Sequence, residues 1–336
     1  MVEHASAATL EDDRPPGAQG GASPLPHGAT LLGDPLALAG GLVRTARPRQ
    51  WVKNLLVVAA PAAAGQLFSV TVGLRLALIF VLFTAAASAV YLINDAKDVH
   101  ADRAHPEKRH RPVASGQVPV TVAYGAGAAL ALAALTAATA ACNPATALVV
   151  GVYLAMQFLY CTSLKHILVV DLVVVASGFL LRAMVGGLAT EIPLSRWFLI
   201  TTGFGALFMV AAKRYSERML MDGQGGRSRA LLAQYSDGYL RFVWQLAAGV
   251  AVLSYCLWAL GATGSIDSAP VPVPAGESLP WRQLSIVPFV LAVLRYAVFA
   301  DRGSAGSPED VVLGDRPLMV IGAAWTVLYG LAVVGL

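Results

Sequence analysis

Nine long apolar stretches run through this 336-residue sequence and limit what it can fold into. A helix needs about 20 apolar residues to cross a bilayer, and most of the stretches are close to that length. Only 13% of the residues are charged, against about 25% in a typical soluble domain. The sequence therefore predicts an all-α, polytopic membrane protein. The nine predicted spans are residues 54–69, 74–94, 120–141, 145–161, 167–188, 197–212, 239–261, 284–300 and 316–336.

Two of these stretches, 54–69 and 197–212, are short for a membrane span. Each needs flanking polar residues or a locally thinner bilayer if it is to cross. Their boundaries are therefore the least defined of the nine.

Lysine and arginine residues are distributed unevenly around the predicted spans. Of the 24, 19 lie on the side that holds the N-terminus, and loops rich in Lys and Arg stay in the cytoplasm when a membrane protein inserts. We therefore expect a multi-pass protein of the plasma (inner) membrane with a cytoplasmic N-terminus. Residues 1–43 are expected to form a disordered cytoplasmic tail, in which 35–43 are compatible with a short interfacial helix; residues 44–336 form the membrane domain.

The densest acidic cluster begins at the end of the second predicted span, with Asn94, Asp95, Asp98 and Asp102. On a helix Asn94, Asp98, Asp102 and Asp95 fall at about 0°, 40°, 80° and 100°, so they share one face. Carboxylates four residues apart repel one another unless a cation lies against them. Mg²⁺, which binds carboxylate oxygens and can be shared with substrate phosphates, is the usual such cation.

A solvated helix end is the alternative interpretation of this cluster. In that case the acids would pair with Lys97, Arg103 and Lys108. The basic run at residues 107–112, which includes Lys108 and Arg111, is typical of cytoplasmic loops in general, but it also suits the binding of phosphate oxygens.

A second concentration of charge follows the sixth predicted span, at Lys213, Arg214 and Glu217. On a helix these lie at about 0°, 100° and 40°, whereas Tyr215 lies at about 200° and points elsewhere unless the helix is broken. This mixed face suits a polyanion together with one metal ion.

Two more basic residues stand in or beside a predicted span, Arg182 in the fifth and Lys165 in the short loop before it. An arginine within a membrane span is a functional candidate by default. An ion pair between Arg182 and Asp171 is discounted, because about three helical turns separate them.

At these residues the sequence resembles the UbiA superfamily of intramembrane prenyltransferases, over residues 44–336. The pattern Asn94-Asp95-x-x-Asp98-x-x-x-Asp102 is similar to the first aspartate-rich motif of that superfamily. The resemblance implies a bundle of nine transmembrane helices around a central cavity that opens to the cytoplasm and sideways to lipid. Where typical members carry a second motif of DxxxD type, this sequence has Lys-Arg-Tyr-Ser-Glu at 213–217.

The Lys-Arg-Tyr-Ser-Glu sequence at 213–217 resembles one branch of the superfamily, together with residues 47–54, 108–112 and 153–157. Members of this branch transfer 5-phosphoribosyl from phosphoribosyl pyrophosphate to decaprenyl (polyprenyl) phosphate, release pyrophosphate, and supply a lipid for cell-wall arabinan. The resemblance implies a Mg²⁺-dependent transferase that works among membrane lipids. No general base is needed, because the attacking phosphate is already ionised at neutral pH.

The resemblance also implies roles for individual residues. The expected catalytic residues are Asp98, Asp102 and Glu217, and the expected Mg²⁺ ligands are Asn94, Asp98 and Asp102. Residues expected to bind the donor are Asn94, Asp95, Lys108, Arg111, Lys213, Arg214 and Tyr215. Residues expected to bind the lipid phosphate are Lys53, Lys165 and Arg182.

Two other functions compete with this one. A prenyltransferase that alkylates an aromatic acceptor would need the second acidic motif, which the sequence lacks. A transporter would show inverted repeats with broken helices at matching positions, and no such internal symmetry is evident. No nucleic-acid partner is expected, and the many small residues in the spans permit homo-oligomers through close helix packing.

Overall fold

The computed structural model describes residues 35–224, 231–261 and 280–334, without the side chains of 221–224. Throughout these residues the regular structure is helical, with no strand. The predicted disordered segment at 1–34 lies outside the described residues. The α-helices are α1 (Pro35–Thr45), α2 (Ala59–Ala63), α3 (Val70–Lys97), α4 (Val99–Arg103), α5 (Val120–Ala141), α6 (Pro144–Thr162), α7 (Val170–Ala189), α8 (Arg196–Gln224), α9 (Asp237–Leu260), α10 (Trp281–Leu284), α11 (Ile286–Asp301), α12 (Pro308–Gly314) and α13 (Arg316–Val334).

Seven helical segments in the described residues are long and apolar enough to cross a membrane. They are α3, α5, α6, α7, α9, the pair α10 and α11 taken together, and α13. Each coincides with one of the predicted spans. The prediction of an all-helical, multi-pass membrane protein is confirmed.

The predicted first span, 54–69, is not one continuous α-helix. It is built from a 3₁₀ helix over Pro48–Val58, here called the N-terminal 3₁₀ helix, followed by α2. Pro61 lies in the first turn of α2 and has no N–H to donate to the Val57 carbonyl, so the α-helical hydrogen bonds do not extend from the N-terminal 3₁₀ helix into α2. The chain then turns at Gly65, whose φ is 69°.

The short stretch 197–212 lies within α8, which continues well beyond it to Gln224. Its apolar part ends at Ala212, since Lys213 and Arg214 follow. α8 is long, but it is not among the seven segments that are apolar enough to cross a membrane. The count of nine spans therefore stays a prediction.

Two apolar cores are joined by α7. The first lies among α3, α5 and α6, and α7 contributes Val185 and Ala189 to it. The second lies among α8, α9 and α11, and α7 contributes Leu172 and Ala176. Because the long helices alternate in direction, the end of α3, the start of α7 and the polar end of α8 lie at the same end of the bundle.

The N-terminal 3₁₀ helix packs directly on α7. A Cβ atom placed on Gly186 would overlap the carbonyl oxygen of Val57, so only a glycine allows the two backbones to come this close. This contact brings Asn54 against the middle of α7.

Candidate functional site

The acidic face predicted at the end of the second span lies at the junction of α3 and α4, where Asp98 has φ −85° and ψ 7°. The amide of Asp98 donates to the Asn94 carbonyl at 2.9 Å, and the amide of Asp102 donates to the Asp98 carbonyl at 2.8 Å. The helical hydrogen bonds thus continue from α3 into α4. Asn94, Asp98 and Asp102 therefore occupy successive turns.

Two of the acids in this region are buried against arginines. Arg47 donates to Asp95 at 2.6 Å, and Arg111 donates to Asp95 at 3.2 Å and to Asp102 at 2.7 Å. Asp95 is only 2% exposed and Asp102 only 4%. We call Arg47, Asp95, Asp102 and Arg111 the arginine network. A solvated helix end does not describe these acids, and Arg103 bonds instead to the Ala114 carbonyl.

Asp98 has a different partner. The Lys165 ammonium lies 3.0 and 3.2 Å from its two carboxylate oxygens. The pair is partly accessible, with 23% of the lysine side chain and 29% of the aspartate side chain exposed. Lys165, predicted to bind the lipid phosphate, is thus placed on the acidic face.

The loop that carries Lys165 contains a strained turn. Val169 has φ 68° and ψ −49°, a conformation that is costly for a β-branched residue. Its N–H donates to the Tyr235 hydroxyl at 2.8 Å. This hydrogen bond attaches the loop to the segment that leads into α9.

The second charged group lies where α7 begins and α8 becomes polar. Arg214 donates to both carboxylate oxygens of Asp171, at 3.0 and 3.2 Å, and to Glu217 at 2.9 Å. The Tyr160 hydroxyl also donates to Asp171, at 2.6 Å, and Lys213 lies 3.9 Å from Glu217. Burial lowers the pKa of Arg214, but the carboxylates of Asp171 and Glu217 more than offset this and raise it overall.

Tyr215 is not brought into this group. α8 is unbroken at this point, and Tyr215 lies in the second core with 1% of its surface exposed. Its hydroxyl accepts a hydrogen bond from Arg241 at 2.6 Å. The side chain points away from Arg214, as the helical angle predicts for an intact helix.

Arg182 lies deeper in the membrane domain, about 16 Å along α7 from Asp171. Its guanidinium donates to Asn54 at 2.9 Å, to the Gly178 carbonyl at 2.7 Å and to the Tyr153 hydroxyl at 3.1 Å. Within the part of the chain that the structure describes, all three of these hydrogen-bond partners are neutral. The rings of Tyr153, Phe83 and Phe179 lie 5.1, 5.3 and 5.7 Å from the guanidinium carbon.

The pKa of Lys53 is affected by Arg47 of the arginine network, by Lys213 of the second charged group and by Arg182. Burial is the largest cause that lowers its pKa; the positive charges of Lys213, Arg182 and Arg47 add to the effect, and Glu309 opposes it. A lysine in such surroundings is well placed for an anion. Lys108 is half-buried, and its backbone N–H donates to the His105 ring.

The donor atoms at the acidic face suit Mg²⁺, which prefers carboxylate and amide oxygens. No group of three or more His, Cys, Asp or Glu side chains with metal-binding spacing occurs in the part of the chain that the structure describes. Most of the acids are already neutralised by arginines. Asp98, whose partner is a partly exposed lysine, is the carboxylate most accessible to an ion.

Four residues of the site were not predicted from the sequence to have a role: Arg47, Asn54, Tyr160 and Asp171. The sequence suggests Asp171 only as a partner for Arg182. The structure pairs it with Arg214 instead, which agrees with discounting the Arg182 pair. The sequence signal that identifies Asp171 as a candidate is its position, because it is a carboxylate in the first turn of an apolar helix.

Comparison with known proteins places this geometry in a family. The model of the UbiA prenyltransferase family matches residues 55–312. The decaprenyl-phosphate phosphoribosyltransferase of Corynebacterium glutamicum is 47% identical over 302 residues, which cover 89% of this chain and 88% of that protein. The protein of the same name from Mycobacterium tuberculosis H37Rv is 48% identical over 303 residues, covering 89% and 96%.

Solved structures agree at the level of the fold. A UbiA homolog from Archaeoglobus fulgidus bound to GPP and Mg²⁺ matches with a TM-score of 0.62 and 17% identity, covering 88% of this chain and 100% of that one. A structure described for digeranylgeranylglyceryl phosphate synthase matches with a TM-score of 0.59 and 14% identity, covering 89% and 99%. The resemblance found in the sequence is confirmed, and the chain belongs to the UbiA prenyltransferase family.

Proposed function

We propose that this protein transfers the 5-phosphoribosyl group of phosphoribosyl pyrophosphate to decaprenyl phosphate or a similar polyprenyl phosphate, with release of pyrophosphate. Relatives that are nearly half identical over 89% of the chain carry the name of this activity. The observation that carries the proposal in the structure is the second charged group. There Arg214, whose side chain is 11% exposed, joins Asp171 and Glu217 where a second acidic motif would otherwise bind metal.

The cation-rich site fits the chemistry of this donor. Phosphoribosyl pyrophosphate carries a 5-phosphate as well as a diphosphate, so it needs more cations and fewer carboxylates than a prenyl diphosphate does. The acceptor phosphate attacks the anomeric carbon, the bond to the diphosphate breaks, and the configuration at that carbon inverts. Positioning of the two reactants and neutralisation of the leaving diphosphate provide most of the catalysis.

Several side chains contribute to holding the donor. Asn94, Asp98 and Asp102 would hold Mg²⁺, which neutralises charge on the leaving diphosphate when bound. Lys213 and Glu217 would contact the donor's phosphates and ribose hydroxyls. The basic run at residues 107–112 contributes Lys108. The arginine network and Arg214 keep the acidic residues in place. Arg111 and Arg214 also retain N–H donors that would bind phosphate oxygens.

The lipid phosphate is assigned to Lys53 and Arg182. Arg182 is buried, and its partners in the described residues are neutral, so its positive charge is available to an anion. Lys53 is close enough to Arg182, Arg47 and Lys213 for their charges to affect its pKa. This arrangement would let a lipid phosphate approach from the membrane while the donor enters from water.

In the membrane, the predicted spans 54–69 and 197–212 would complete nine spans around a cavity open to the cytoplasm. Residues 1–43 would form the cytoplasmic tail and residues 44–336 the catalytic domain. The distribution of lysine and arginine supports a cytoplasmic N-terminus and site in the plasma membrane.

A transfer assay tests the proposed function. Purified protein is incubated with ribose-labelled phosphoribosyl pyrophosphate, decaprenyl phosphate and Mg²⁺, and label is measured in the lipid fraction. We expect Mg²⁺-dependent transfer into lipid and release of pyrophosphate. Absence of transfer, or efficient alkylation of an aromatic acid when a prenyl diphosphate is supplied, would show that the proposed function is wrong.

A further inference from the structure

The ion pairs at the acidic face differ in how firmly they are held. Asp95 and Asp102 are buried, with 2% and 5% of their side chains exposed, and separating either from Arg111 leaves an uncompensated buried carboxylate. The pair of Lys165 and Asp98 is partly exposed on both sides, and a pair of this kind contributes little to stability. The pair of Lys165 and Asp98 can therefore exchange partners during binding at a lower cost than the pairs of Arg111.

Lys165 occupies the oxygens that a metal ion would need. Its ammonium contacts both carboxylate oxygens of Asp98, at 3.0 and 3.2 Å. Bringing a divalent cation to Asp98 also brings it close to this ammonium, and two cations at that distance repel. The lysine must therefore leave when the metal arrives.

An ammonium on a flexible stem can move to a new partner with little strain. The stem of Lys165 is fixed at its base, because the loop is attached through Val169 to the Tyr235 hydroxyl. The displaced ammonium thus stays beside the acidic face. Phosphate oxygens of a metal-bound diphosphate are the anionic partners that the binding event itself supplies.

We propose that Lys165 is an internal counter-ion of Asp98 that competes with the metal ion in the free enzyme and moves to the diphosphate when metal and diphosphate bind together. This inference rests on the proposed function for the identity of the site. Its consequence is a coupling between the two ligands: the metal binds more tightly when an anion takes the lysine, and the anion binds more tightly when the metal releases it.

Metal binding without turnover tests this coupling. Binding of Mn²⁺ alone to the purified full chain is followed by electron paramagnetic resonance, for wild type and for Lys165→Met. We expect the variant to bind Mn²⁺ about fivefold more tightly, the gain from removing a competing, partly exposed ion pair. With saturating inorganic pyrophosphate present, Mn²⁺ affinity should rise strongly in wild type and distinctly less in the variant.

Lys97→Met is the matched control. Lys97 is exposed and next to Asp98 in the chain, yet no ion pair of this lysine occurs within the described ranges. Removing its charge should change Mn²⁺ affinity by less than about twofold, since an exposed charge is screened by solvent and salt. Lys165→Arg, which keeps the charge, should bind Mn²⁺ alone no more tightly than wild type. Thermal unfolding confirms that each variant is folded.

Equal Mn²⁺ affinities for Lys165→Met and Lys97→Met, or a weaker affinity for Lys165→Met, would overturn the inference. Wild-type transfer of phosphoribosyl in the same preparation separates the two failures. If transfer is present and the Mn²⁺ shift is absent, only the role of Lys165 is wrong. If transfer is absent, the proposed function is wrong, whatever the Mn²⁺ measurements show.

Discussion

Burial distinguishes residues that look equivalent in the sequence. Asp95 and Asp98 are three positions apart on one helix, and both belong to the acidic motif. Asp95 is buried against Arg47 and Arg111, whereas Asp98 keeps 29% of its side chain accessible. The first therefore holds the end of α3 in place, and the second is available for ligand binding.

This difference predicts opposite results for two similar variants. Asp98→Asn should abolish phosphoribosyl transfer and leave the unfolding temperature unchanged, since its ion pair is partly exposed. Asp95→Asn should destabilise the protein by about 3–5 kcal/mol, because two arginines lose the carboxylate that they share. Thermal unfolding in detergent and the transfer assay measure the two effects. Equal loss of stability in both variants would contradict the assignment.

The proposed role of Lys53 predicts how the binding of polyprenyl phosphate depends on pH. Burial, supported by neighbouring cations, lowers the pKa of this lysine from its usual 10.5. In its proposed role the charged form of Lys53 would bind the lipid phosphate, so affinity should be complete below the lowered pKa and be lost as the pH rises through it. The KM for polyprenyl phosphate should increase at alkaline pH, beginning below the range of an ordinary lysine.

Lys53→Arg provides the control for that pH profile, because an arginine stays protonated over the whole range. Its KM for polyprenyl phosphate should depend much less on pH. An identical alkaline rise in the variant would assign the titration to another group.

Among the elements, the N-terminal 3₁₀ helix and α7 show how packing positions a charge. Asn54 reaches Arg182 across 128 positions of sequence, because the two helices touch at Gly186. Pro61 could be recognised in the sequence as an interruption of the first predicted span. The need for a glycine at 186 could not, because it depends on the Val57 carbonyl of a distant segment.

Two glycine variants test this contact. Gly186→Ala should separate the N-terminal 3₁₀ helix from α7, lower the unfolding temperature and raise the KM for polyprenyl phosphate by displacing Asn54 from Arg182. Gly205→Ala in α8 has no atom within 4 Å of the added carbon. It should be neutral or stabilise by about 0.5–1 kcal/mol, as expected when alanine replaces glycine inside a helix. A tolerated Gly186→Ala would contradict the close contact.

For the whole molecule, two apolar cores meet along α7, and the charged groups lie at one end of the bundle. The loops at that end carry most of the basic residues. The α7–α8 connection at the opposite end carries Glu191, which pairs with Arg75 on the surface. The orientation in the membrane is therefore open to a direct test.

Cysteine labelling provides that test. In a variant without the native Cys142 and Cys256, a cysteine replacing Ser115 should react with a membrane-impermeant maleimide only after the cells are opened. A cysteine replacing Glu191 should react in intact cells. Both positions are exposed in the structure. The reverse pattern would invert the predicted topology.

The sequence by itself determined the helical membrane class, seven of the spans and the family, because hydropathy and motif spacing are local properties of the chain. It also showed which turns of α3 and α8 carry the charges. Only the tertiary structure decided how these charges are paired: Arg47 and Arg111 with the buried acids, Lys165 with Asp98, and Arg214 with Asp171. The pairs of Arg47, Lys165 and Arg214 join residues 43 to 67 positions apart in sequence, and the packing of the chain determines which of the available cations reaches each carboxylate.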